Sequence, residues 1–179
     1  IERLAISDDF VLSVARGNNH ISVGSGNHRV TGGQDDDVIY LYSDGNDEVF
    51  AAQGQDKVVL TTTSSGLKRI HFTGTNSEPD TLELTKAALG ELVYSVDGND
   101  LHVISKDTQA TAVLVDWMLL DDKSAINISN GKRQISGDDV AQRVMDILMD
   151  QTLLVEANSG RFDVNQSLTG AIATTFDLR

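Results

Sequence analysis

The sequence predicts an all-β fold: a short parallel solenoid of nonapeptide repeats, then an antiparallel β flank and a C-terminal helix. The first of three observations behind this is one nine-residue phrase that recurs five times between residues 14 and 59. It places a polar residue at Asn19, His28, Asp37, Asp47 and Asp56, and an aliphatic two places later at Ile21, Val30, Ile39, Val49 and Val58. The steps are nine, nine, ten and nine residues, with the one slip at Leu41. A period this short marks a solenoid, whose repeats bury their apolar side chains only by stacking on neighbours. The second observation is LVYSVDGNDLHVIS, two alternating runs joined by Asp97-Gly98-Asn99-Asp100, a strong hairpin signal. The third is the helical stripe of Val140, Val144, Ile147 and Leu148.

Residues 1–13 alternate loosely and read as strands capping the exposed end of the solenoid. The repeats fill residues 14–60. Each opens with Gly, Asn, Asp, Ser or Gln, which tolerate tight turns, and ends in a short strand, so two repeats make one 18-residue turn with a strand on each of two sheets. Residues 61–150 form the flank. Here Arg69–Phe72, Thr81–Leu84 and Ala110–Trp117 read as strands, Thr85–Leu92 as a short amphipathic helix, and Asp138–Met149 as a helix capped by Asp138 or Asp139. Residues 151–179 are a weakly patterned tail of no assigned role.

The net charge of -13 and a pI near 4.4 argue against a nucleic-acid partner and for a surface that attracts cations. No cysteine is present, so disulfides and thiolate metal sites are excluded. A chain that opens on Ile1 reads as a piece of a longer one, and an acidic, cysteine-free composition suits export in an unfolded state. Between Val30 and Leu60 stand seven acids (Asp35, Asp36, Asp37, Asp44, Asp47, Glu48 and Asp56) against one base, Lys57. Carboxylates beside turn carbonyls are the hard oxygen ligands that calcium prefers. With 18 residues per turn, Asp37 and Asp56 face one gap, Asp47 stacks over His28, and Asp37 over Asn19. Two readings of the acids stand: calcium ligands, or a metal-free solenoid whose acids are solvated.

The repeat GGQDDDVIY matches the repeat-in-toxin nonapeptide G-G-x-G-x-D-x-U-x except at Asp35. YSDGNDEVF and AAQGQDKVV keep its second half, whereas Asn19 and His28 replace the aspartate in VARGNNHIS and VGSGNHRVT. The chain thus resembles the hemolysin-type (RTX) calcium-binding β-roll of secreted bacterial toxins, adhesins and hydrolases. Residues 81–117, with Gly98-Asn99-Asp100-Leu101 and Asp116-Trp117, are similar to the segment that follows the roll in pore-forming members. This resemblance implies calcium held in the second half of the roll by Asp37, Asp47 and Asp56 with the turn glycines Gly33 and Gly54. It also implies a secreted or cell-surface bacterial location, and the rest of a parent toxin or adhesin as partner.

His20 and His28 read as surface or turn residues, His71 and His102 as strand-face residues, and Trp117 as a core anchor. No nucleophile elbow, zinc-protease helix or phosphate loop is present. The expectation is a non-catalytic, calcium-assisted folding and presentation module, the alternative being a module that binds a host receptor or glycan.

Overall fold

The computed structural model describes residues 9–42, 44–73 and 78–159, with residues 152–159 by backbone alone. The chain divides into two compact units, one running to Asp138 and one starting at Asp139. In chain order the first unit contains β1 (Phe10–Ser13), β2 (His20–Val23), β3 (His28–Gly33), β4 (Val38–Leu41), β5 (Asp47–Ala52), β6 (Lys57–Leu60) and β7 (Lys68–Phe72). There follow β8 (Asp80–Leu84), β9 (Leu92–Asp97), β10 (Asp100–Ser105), β11 (Thr111–Leu114), β12 (Ile126–Ser129) and β13 (Gln134–Ile135).

The strands form two mixed sheets, ordered β1-β3-β5-β7-β11-β10-β9 and β13-β12-β8-β6-β4-β2; β1 to β8 alternate between them, whereas β9, β10 and β11 fall together in the first and β12 and β13 in the second. Neither sheet closes on itself among the described residues. In the first sheet β1, β3, β5, β7 and β11 pair in parallel. In the second, β2, β4, β6, β8 and β12 do the same. The aliphatic ladder of the repeats explains this register. Leu12, Val30, Val49, Ile70 and Leu114 align across one sheet, and Ile21, Ile39, Val58, Leu82 and Ile128 across the other. Apart from the end residue Leu12, each is at most 4% exposed. A buried side chain of this size contributes about 1.5–3 kcal/mol, and a one-residue slip would turn the whole set outward.

Parallel pairing therefore continues well past Leu60. The flank expected to be antiparallel is so only where β10 pairs with β9 and β11, and where β13 pairs with β12. The nine-residue period is lost there because the offset between aligned residues grows from 18 and 19 to 21 and 24, while the polar-x-aliphatic phrase persists as Lys68-Arg69-Ile70 and Asp80-Thr81-Leu82. The β9–β10 hairpin forms at Gly98-Asn99, with Gly98 at a φ of 60°. A helix does not form over Thr85–Leu92; Lys86 turns left-handed at a φ of 65° and only a 3₁₀ turn, Leu89–Glu91, follows.

Of the capping strands expected at residues 1–13, β1 pairs along β3, and residues 1–8 lie outside the described residues. Helix α1 spans Gly137–Ser159, longer than the spacing predicts. It takes up the start of the 151–179 tail, whose remainder lies outside the described residues. Asp138 and Asp139 fall inside its first turn rather than ahead of it, where negative charge suits the helix dipole.

Candidate functional site

Each pass of the chain enters a strand through a corner, and the polar residue of the repeat sits at that corner with its side chain turned inward. Stacked passes line these residues into two rows. The row leading into the first sheet holds Phe10, His28, Asp47 and Lys68. Its counterpart on the second sheet holds Asn19, Asp37, Asp56 and Asp80.

In the second row every carboxylate caps the pass before it. Asp37 Oδ1 accepts from the Asn19 backbone N–H at 2.8 Å, Asp56 Oδ1 from that of Asp37 at 2.8 Å, and Asp80 Oδ1 from that of Asp56 at 2.8 Å. Asp37, Asp56 and Asp80 are buried at 1%, 1% and 0% exposure. The Oδ2 atoms of Asp37 and Asp56 meet no hydrogen-bond donor among the described residues. Burial, with the charges of Asp80, Asp37 and Asp36, pushes the Asp56 carboxyl up to about 7. Burial raises Asp37 as well, against the opposing pull of its bonds from Asn19.

The first row is built differently. His28 Nδ1 donates to Asp47 Oδ1 at 2.7 Å, and the His28 backbone N–H reaches the same oxygen at 3.1 Å. On the other side of Asp47, Lys68 Nζ lies 3.1 Å from Oδ2. Lys68 Nζ also donates to the carbonyl oxygens of Gly45 and of Ser65, the latter at 2.6 Å. All three side chains are sealed from solvent, at 0% for His28 and Asp47 and 1% for Lys68. His28 is thus a core residue and not the surface residue expected; Phe10 covers its ring at 4.4 Å. His20 is exposed as expected.

One residue before four of the corners lies a further set of bonds that the nonapeptide fingerprint does not reveal. Asp9, Asn27, Asp36 and Asn46 accept from the backbone N–H of Asn27, Asn46, Gln55 and Leu67 at 2.7–2.9 Å. These residues cap the pass that follows, whereas the corner aspartates cap the pass that precedes. Asp35, likewise, takes the Gly17 N–H at 2.7 Å. Several of the crowded acids are therefore turn acceptors. The recurrence of Asx at positions 27, 36 and 46 is the sequence signal for this set.

Comparison with protein-family models and with curated proteins returns no match to this chain. Its chemistry rests on the residues themselves.

Among the predicted site residues, Asp37 and Asp56 stand in one row and Asp47 in the other. Gly33 and Gly54 have a packing role: at φ values of 120° and 116°, a Cβ would come within 2.8 Å of Val14 O and 2.6 Å of Asp35 O. Only glycine lets adjacent turns approach so closely. No three acidic or histidine side chains converge as a metal cluster among the described residues. Calcium beside Asp37 and Asp56 would therefore draw on two carboxylates and on turn carbonyls. The unsatisfied Oδ2 atoms there fit such an ion. Asp47, held by His28 and Lys68, does not.

Proposed function

We propose that the chain is a parallel β-roll of the repeat-in-toxin kind and serves as a non-catalytic, calcium-assisted folding and presentation module of a large exported bacterial toxin or adhesin. The observation that carries this reading is the buried pair Asp37 and Asp56, which among the described residues have no ion-pair partner and leave two carboxylate oxygens without donors. Two ionised carboxylates in that setting call for a proton or a cation. Extracellular calcium modules have dissociation constants of roughly 0.1–1 mM, so millimolar calcium would add on the order of 1–2 kcal/mol, and submicromolar calcium almost nothing. Such a module stays loose inside a cell and sets outside it.

The non-catalytic part of the reading is supported by the sealing of the His28–Asp47 dyad, which no substrate reaches at 0% exposure. In the open groove that the dyad's backbone helps to line, Arg29 pairs with Glu48 at 2.8 Å, Arg69 pairs with Asp100 at 3.0 Å, and the Asp9 carboxylate accepts the Asn27 N–H at 2.7 Å.

Circular dichroism melts in calcium and in chelator test the proposal. A higher melting temperature in calcium, lost in Asp56→Asn, is the expected result. Superimposable curves for the unmodified chain would rule calcium out as a folding ligand.

A further inference from the structure

The two corner rows carry one repeat phrase but opposite electrostatics. The second row presents three aspartates, and neither Asp37 nor Asp56 forms an ion pair among the described residues. In the first row, Asp47 lies between an imidazole and an ammonium.

Lys68 Nζ has three donors, and among the described residues three oxygens lie around it: Asp47 Oδ2, Gly45 O and Ser65 O. One is a carboxylate and two are turn carbonyls, from turns belonging to successive passes. They converge because the turns nearly touch: a Cβ on Gly66, whose φ is 75°, would stand 2.5 Å from Gly45 O. Carboxylate and carbonyl oxygens gathered from two loops are the donor set of a hard divalent cation. Here the lysine stem, entering from β7, fills that cage with the chain's own charge.

We infer that the Lys68 ammonium is a built-in substitute for a metal ion in the first row, so that this row locks without calcium, and that removing the ammonium leaves a cage that takes a divalent cation. Burying a lysine is costly, and burial does push its pKa down, while the charge of Asp47 pulls it back up. The chain accepts that cost where an unpaired Asp47 would otherwise stand. Placed beside the proposed calcium role of Asp37 and Asp56, this confines metal dependence to one of the two sheets' entrances. The cage itself does not depend on that proposal.

The experiment uses the full chain with calcium chloride as the only probe. In chelator, Lys68→Ala should melt roughly 10 °C below the unmodified protein, because one partner of a buried pair has been removed. Millimolar calcium should raise Lys68→Ala by a few degrees more than it raises the unmodified protein, and that excess should be absent from Lys68→Ala/Asp47→Asn. The single variant Asp47→Asn should leave the calcium response of the unmodified chain unchanged, whereas Asp56→Asn removes it. Four results would overturn the inference: Lys68→Ala melting like the unmodified protein, no calcium gain in Lys68→Ala beyond that of the unmodified protein, failure of Lys68→Ala to fold at any calcium concentration, or loss of the native calcium response in Asp47→Asn. An unmodified chain indifferent to calcium would refute the proposed function alone, leaving recovery of Lys68→Ala to decide the cage.

Discussion

Replacing Asp56 by asparagine should make the metal-free protein more stable at pH 8, an unusual outcome for a residue 1% exposed that accepts a backbone hydrogen bond. The asparagine amide oxygen can still take the Asp37 N–H, while the buried charge is gone. In the folded chain the Asp56 carboxyl sits at about 7, against an ordinary value of 3.8. Between those two values the folded state binds more protons than the unfolded one, so stability falls as pH rises from about 4 to about 7 and is level above it. At about 1.4 kcal/mol per pKa unit, the penalty at pH 8 is on the order of 4 kcal/mol, or roughly 10 °C in melting temperature for a chain of this size. Urea denaturation in chelator, run from pH 5 to pH 8, gives the slope directly. The unmodified protein should lose stability across that range, and Asp56→Asn should lie above it with a shallower slope, Asp37 being the raised carboxyl that remains. Calcium should flatten the slope of the unmodified protein by holding the carboxylate ionised. Parallel pH profiles for the two proteins would show that Asp56 is not the strained group.

Gly54→Ala should destabilise by about 3 kcal/mol or more, because a methyl at a φ of 116° would stand 2.6 Å from the Asp35 carbonyl carbon and oxygen, which belong to backbone and cannot step aside; chemical denaturation measures it, and a loss under about 1 kcal/mol would mean that the turns can separate. Asn46→Ala should cost about 0.5–1.5 kcal/mol by depriving the Leu67 N–H of its acceptor at 2.8 Å. Hydrogen exchange at Leu67 should accelerate in that variant while exchange at Val49 stays slow.

The aliphatic ladder was legible because burial on a stacked sheet tolerates no slip, so Ile21, Val30, Ile39, Val49 and Val58 had to recur in step. Its continuation at Ile70 and Leu82 was hidden by longer turns, since turn length is free wherever the corner residue can still reach its neighbour. Lys68 escaped notice for the same reason: it lies 21 residues after Asp47, outside a strict nine-residue count. Nor does the fingerprint separate Asp47 from Asp56. Both occupy the same place in the phrase, and the residues stacked on each decide whether its charge is met: His28 and Lys68 about Asp47, Asp37 and Asp80 about Asp56. The stacking of Asp47 over His28 was legible in the 18-residue turn, and the structure has it; the cover that Phe10 lays over the His28 ring was not, because Phe10 lies outside the repeats. The hairpin, by contrast, is local chemistry, and Gly98-Asn99 specified it.

The offsets of 18, 19, 21 and 24 residues between hydrogen-bonded corners have a consequence for how such a chain can change. Alignment is fixed at marks, where a side chain of one pass grips the backbone of the next, and the length of chain between marks is left open. The β9–β10 hairpin is an instance: it is spliced between β8 and β11, and β11 still meets β7 in register. Foreign peptide placed between marks should be carried in the same way, as cargo on a frame that checks its own position at every corner.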